Sequence, residues 1–258
     1  MTFVERYGPW AVVAGASEGL GAEYARQLSA RGLKLVLVAR REAALSQVIA
    51  SLPAEARPLV LDLGAPDAHA RIAEATRDLD VGLVVYNAAL SPIGPLQTQT
   101  LEENLKALDV NVRTPTALAH HFVPRLLARK RGGLVLLSSL TAFQGSPFVT
   151  TYGATKSYNL ALAEGLWAEL EGTGVDVLCV CPGATATPNL LKATTRAPPG
   201  MQQPAEVVAE TLDALGDGPL VIPGAFNRFA SFLMRRLLPR RSTIRIMAAQ
   251  TRKLQLPP

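Results

Sequence analysis

Cysteine is nearly missing from this chain: of 258 residues, only Cys179 and Cys181 are thiols. Two residues apart on an apolar run, they stand on one face of a strand, at a separation and geometry poor for a disulfide. No covalent framework is therefore expected, and the pair reads as buried thiols in a reducing, cytoplasmic compartment. Histidine is almost as scarce. His69, His120 and His121 lack metal-ligand spacing, so no metal site is expected. No stretch reaches the roughly 20 apolar residues of a spanning helix. Residues 1–10 carry no sustained apolar run of the kind a secretory leader needs. Acidic side chains are absent from residues 225–258, although that segment holds eight basic ones. No internal repeat or low-complexity tract is visible.

What the chain does have is alternation. Its length suits one α/β domain with a large core. Apolar runs at 10–14, 34–39, 58–62, 81–87, 133–139, 175–181 and 220–223 read as strands. Helical patterns lie between them, at 22–31, 72–79, 100–111, 112–131, onward from Tyr152, and at 204–215. Apolar strands with little alternation point to a parallel sheet covered on both faces, a doubly wound Rossmann-type arrangement.

The first run leads into a glycine-rich turn and then a helix. Gly15, Gly19 and Gly21, with Ser17, Glu18 and Leu20 between them, stand where a dinucleotide fingerprint requires them, spaced G-x-x-x-G-x-G. Glycine lets the backbone approach a pyrophosphate, and the helix start offers free N–H groups. After the second strand, Ala39 takes the place of an acidic residue that would bind a ribose 2′-hydroxyl, and Arg40 and Arg41 follow. A guanidinium suits a 2′-phosphate, which favours NADP over NAD.

Farther along, Tyr152 and Lys156 lie one helical turn apart. A phenol is a poor acid or base at neutral pH, and a nearby ammonium moves it toward useful proton transfer.

With these pieces in order, the chain resembles the classical short-chain dehydrogenase/reductase family over about residues 8–224. The glycine motif matches, Asp62 and Leu63 match the position that holds adenine, and Asn87, Ala88 and Ala89 are similar to the family's Asn-Ala-Gly stretch. Asn111, Ser139, Tyr152 and Lys156 match its catalytic tetrad. Pro182, Gly183, Thr185 and Thr187 match the loop that holds the nicotinamide carboxamide. Ala14, Ala89 and Tyr86 depart from the usual Thr, Gly and Asn, and an Ala14 side chain cannot make the usual bond to strand four.

The resemblance implies an NADP(H)-dependent carbonyl reductase or alcohol dehydrogenase. Tyr152 would be the general acid/base, with Lys156 lowering its pKa and holding the ribose. Ser139 would hold the substrate oxygen, and Asn111 a water that relays protons to Lys156. It also implies a homo-oligomer, a dimer or tetramer. By the same alignment, Leu140, Phe143, Gln144, Phe148 and Leu190 lie near the substrate, as do residues 90–93. Leu190 and Leu191 belong to a segment similar to the family's mobile lid. The alternative is a non-catalytic nucleotide sensor or scaffold on the same fold, which has no need of four catalytic groups together.

Two units are expected: a catalytic domain over 1–224 and a basic amphipathic extension over 225–258. In the extension, Phe226, Phe229, Phe232, Leu233, Leu237 and Leu238 interleave with Arg228, Arg235, Arg236, Arg240, Arg241, Arg245, Arg252 and Lys253. Net charge is +5, so the rest of the chain is acidic. Such a tail suits an anionic membrane surface, a cover for the pocket, a partner subunit or plain solvated surface. Nothing beyond charge points to nucleic acid. The tail is similar to those of hydroxysteroid-dehydrogenase-like members, which implies a lipid- or steroid-like substrate.

Overall fold

The computed structural model describes residues 1–194 and 197–252; Lys253 of the basic tail lies outside them. Seven strands form one parallel sheet in the order β3-β2-β1-β4-β5-β6-β7. They are β1 (Trp10–Ala14), β2 (Lys34–Ala39), β3 (Ala56–Val60), β4 (Val81–Tyr86), β5 (Gly132–Leu137), β6 (Val175–Val180) and β7 (Leu220–Val221). The helices are α1 (Phe3–Tyr7), α2 (Gly19–Ala30), α3 (Glu42–Ala50), α4 (Ala68–Ala75), α5 (Leu101–Leu108), α6 (Thr114–Arg129), α7 (Thr150–Glu169), α8 (Pro188–Ala193), α9 (Pro204–Asp213), α10 (Ala225–Arg236) and α11 (Arg240–Thr251).

Both faces of the sheet are covered, as the unbroken apolar strands require. On one face Val12, Val36, Val84 and Leu136 pack with Ile72 of α4, Phe122 of α6 and Ala163 of α7. On the other, Val13, Leu35, Leu37 and Val135 meet Leu28 of α2, Leu45 of α3 and Val208 of α9. Cys179 and Cys181 are free thiols buried in the first of these layers. Arg6 and Tyr7 of α1 both bond Asp176 at the start of β6, at 2.7–2.8 Å. No described helix is long and apolar enough to cross a membrane.

Strand β3 begins and ends two residues earlier than its apolar run suggests. It is an edge strand with exposed Arg57 and Pro58, and the apolar run continues past it through buried Leu61 and Leu63. Proline is tolerated there because one side of an edge strand makes no ladder bonds. The expected helix over 100–111 also ends early. A capping box between Thr100 and Glu103 starts α5, and a π-turn over Asp109–Arg113 separates it from α6.

Candidate active site

The strand order reverses between β1 and β4, and a cleft of about 510 Å³ opens beyond their C-terminal ends. Parallel sheets bind ligands at such a switch point. At one end of the cleft, Gly15 has φ +85°, and a Cβ there would stand 2.7 Å from the Ala88 backbone. A Cβ on Gly21 would stand 1.9 Å from the Gly15 carbonyl oxygen. Only glycine allows the first turn of α2 to come this close to the turn before it. No side chain caps the start of α2, so its amides point into the cleft for a ligand to use. Ala14 no longer weakens this corner: its backbone oxygen accepts from the amides of Asn87 and Ala88 at 3.0 Å each. The Asn87 side-chain amide donates to the Gly15 oxygen at 2.9 Å.

Arg40 and Arg41 both line the cleft beside the glycine turn. Arg41, which follows the family position, is the one already engaged: its Nη2 lies 2.8 Å from Glu18 Oε2 and donates to Ser17 Oγ at 3.3 Å. Opposite them, Asp62 accepts from the Gly64 amide at 2.9 Å and pairs with Lys106 at 3.1 Å. Burial pushes the Asp62 carboxyl up, but these two partners outweigh it and hold the group below its ordinary range.

The catalytic candidates gather at the far side. Ser139 follows β5 and caps the 3-10 turn Leu140–Phe143, its Oγ accepting from the Thr141 amide at 3.2 Å. Tyr152 and Lys156 project from α7 into the same cleft, with the ammonium 5.5 Å from the phenol ring centroid. Lys156 is 2% exposed, and its Nζ donates to the Leu137 oxygen at 2.7 Å. Ser138 fastens α7 to the end of β5, with its hydroxyl on the Lys156 oxygen at 2.7 Å. Burial lowers Lys156 to about 8 and raises Tyr152 to about 12, the latter opposed by a hydrogen bond with Ser139. In the free protein, then, burial raises the phenol and only the bond with Ser139 opposes it.

That lowered lysine has a readable consequence. Below pH 8 both folded and unfolded chains carry the charge, and the fold bears the cost of burying it. Above 10.5, the ordinary lysine value, neither carries it. Stability from this group is therefore present above 10.5 and lost as pH falls through about 8. Compared with Lys156→Met, the wild type should gain denaturant resistance as pH rises across that window. A constant difference would mean that Lys156 is not charged against its burial.

Asn111 sits in the π-turn and is fully buried. Its side chain exchanges two 2.8 Å bonds with the Leu90 backbone and donates to Thr155 Oγ1 at 3.0 Å. It lies behind the cleft wall instead of lining it. Tyr86, the residue that departs from the family, donates its buried hydroxyl to the Val110 oxygen in that same turn. No local sequence signal marks this partnership across 24 residues.

The cleft collects Gly15, Ser17, Glu18, Gly19, Leu20, Arg40, Asp62, Leu63, Asn87, Ala88, Ala89, Pro182, Gly183, Thr185 and Thr187, all expected at a nucleotide. Gly21 stands just behind them. The substrate end needs correction. Of the residues expected there, Leu90, Ser91, Ile93 and Leu190 line the cleft; Leu140, Phe143, Gln144 and Phe148 do not. The 3-10 turn carries Phe143 against the core and leaves Gln144 donating to the Leu140 oxygen at 3.0 Å. Phe148 lies under the Arg252 guanidinium. Thr141, Val149, Asn189 and Ala193 complete the wall, with Thr251 from the end of α11. Thr251 is fixed there by a 2.8 Å bond to the Pro147 oxygen. Thr141 Oγ1 is buried without a protein partner.

The comparisons with known proteins point to one family. The family model described as short chain dehydrogenase matches residues 9–197. A 7beta-hydroxysteroid dehydrogenase from Clostridium sardiniense is 34% identical over 235 residues, 88% of this chain and 90% of that protein. A solved structure from work on 7beta-hydroxysteroid dehydrogenase stereoselectivity superposes with TM-score 0.90 at 32% identity, covering 96% of this chain and 99% of the other. The short-chain dehydrogenase from Sphingobium yanoikuyae, solved in complex with NADPH, superposes with TM-score 0.76 at 28% identity, covering 87% and 92%.

Proposed function

The chain belongs to the short-chain dehydrogenase/reductase family, and from that premise we propose that it is an NADP(H)-dependent oxidoreductase acting on the carbonyl or secondary alcohol of an apolar, steroid-like compound. The observation that carries this reading is convergence: the glycine turn, two arginines, Ser139, Tyr152 and Lys156 all line one cleft. The NADPH complex and the hydroxysteroid dehydrogenases among its relatives support the cofactor and the substrate class.

The residues fit such a cofactor. Gly15 and Gly21 let the turn fold tightly against Ala88 and the start of α2, and that uncapped start is ready for a pyrophosphate. Asp62 suits the adenine, and Pro182, Gly183, Thr185 and Thr187 the carboxamide. When bound, the nicotinamide supplies or accepts the hydride. Ser139 donates to the substrate oxygen as charge develops on it. Tyr152 gives that oxygen its proton, or takes it in reverse. Lys156 holds positive charge beside the phenol and a ribose hydroxyl. Asn111, through Leu90, holds the loop that walls the substrate. We assign the catalytic unit to residues 1–224 and the extension to 225–258, with Thr251 on the substrate side.

A panel of steroid and simple apolar ketones and alcohols, assayed with NADPH and NADH by absorbance of the reduced nicotinamide, tests this. Turnover of at least one apolar substrate with NADPH is expected; tighter NADH than NADPH would overturn the cofactor assignment. Arg40→Ala and Arg41→Ala should each weaken NADPH by about ten- to a hundredfold, from roughly 1.5–3 kcal/mol per charge-assisted bond. NADH affinity should barely change. Equal loss for both cofactors in fluorescence titrations would make the arginines structural.

A further inference from the structure

Helix α10 is inside out. Its polar residues Asn227 and Ser231 are buried, while Phe226, Phe229 and Phe232 are 56%, 66% and 57% exposed. The cause is local. Asn227 Nδ2 donates to the oxygens of Gly200 and Pro223 at 3.1 and 3.2 Å. Its amide also fills the space beside Gly183, where a Cβ would stand 2.7 Å from Asn227 Oδ1. The helix is thus anchored to the loops around the cleft by its polar side, and its aromatic side must face outward.

Charge decides what that face meets. Only Arg228 of α10 and α11 has a carboxylate partner among the described residues, Glu210 at 2.7 Å. Arg236, Arg241 and Arg245 are exposed without one. A second copy laid face to face would bring two such arginine-bearing surfaces together with no acid between them. Outward phenylalanines flanked by unpaired arginines suit a surface that is apolar within and anionic at its rim.

We propose that the outward face of α10, with the arginines of α10 and α11, docks on an anionic lipid bilayer. Phe226, on the same helix, packs beside Gly200, so the docked face adjoins the segment that follows α8, whose Asn189, Leu190 and Ala193 line the cleft. An apolar substrate dissolved in the bilayer would then reach the site without crossing bulk water. The docking itself does not depend on the oxidoreductase reading.

The test is co-sedimentation of the full chain with phosphatidylcholine vesicles, with or without phosphatidylglycerol, at low and high salt. Binding is expected only with phosphatidylglycerol, and high salt should release it. Phe229→Ser/Phe232→Ser and Arg236→Gln/Arg241→Gln/Arg245→Gln should each weaken binding by about tenfold or more. NADPH affinity and melting temperature should stay at the parent's values, which separates lost docking from lost folding. Three results would overturn the proposal: no binding of the parent chain at low salt, equal binding to neutral vesicles, or binding indifferent to the paired Phe change. A Phe variant that splits a homo-oligomer in sedimentation velocity would also overturn it, and would assign the face to a second copy.

Discussion

Tyr152→Phe is expected to lower kcat by about 10²- to 10⁴-fold while NADPH affinity stays near the parent value. The change removes one hydroxyl and leaves a ring that fills the same space against α7. Burial holds that hydroxyl at about 12, so in the free protein it carries its proton throughout the neutral range. A protonated phenol is ready to donate, which suits carbonyl reduction. Alcohol oxidation needs the phenolate, so its rate should rise with pH across the range in which reduction is flat. That flat range should end near pH 8, where Lys156, lowered to about 8, loses its charge and the rates in both directions should break. Steady-state rates measured both ways would check this. Activity of the Phe variant within about threefold of the parent would remove Tyr152 from the chemistry.

Asn111→Leu should cost about 3 kcal/mol or more of stability, beyond any loss of activity. The amide and carbonyl of Leu90 both bond this side chain, and an apolar replacement leaves both orphaned at about 1–3 kcal/mol each. For a chain of this size that corresponds to a drop of roughly 6–12 °C in melting temperature. Weaker substrate binding should accompany it, because Leu90 and Ile93 lie on the released loop. A group that merely held a catalytic water would lower kcat and leave Tm alone. Calorimetry of the variant therefore distinguishes the water-holding role that the family resemblance implies from the loop-pinning role its contacts describe.

The nucleotide end was legible because its signals are local. Gly15, Gly19 and Gly21 lie within seven residues at a strand-to-helix turn, and Tyr152 and Lys156 within one helical turn. The expected residues at that end consequently fall on one cleft, apart from Gly21 just behind it. The substrate wall was legible only at Leu190 and within 90–93, and the rest was hidden for the opposite reason. Thr251 meets Pro147 across 104 residues, and nothing near either one announces the other. The resemblance pointed to Phe143 and Phe148, but the 3-10 turn after Ser139 packs Phe143 against the core and Phe148 lies under Arg252. In α10 the pattern revealed an apolar face without revealing its direction. That was decided by Asn227, whose partners Gly200 and Pro223 are invisible to helical periodicity. Tyr86 read as a bare departure, and only its bond to Val110 connects it to the turn that carries Asn111.

The bond from Thr251 to Pro147 also sets an order of events at the ribosome. Chains fold from the N-terminus as they emerge, at about 5–20 residues per second. The glycine turn, the switch point and the Tyr152 helix are all made before α10 begins. A nascent chain therefore carries its glycine turn and switch point while its substrate chamber still lacks one wall. The last helix then arrives as a closing piece on a body that is already organised, and an early stop before Thr251 would leave a chain that holds cofactor but cannot enclose its substrate.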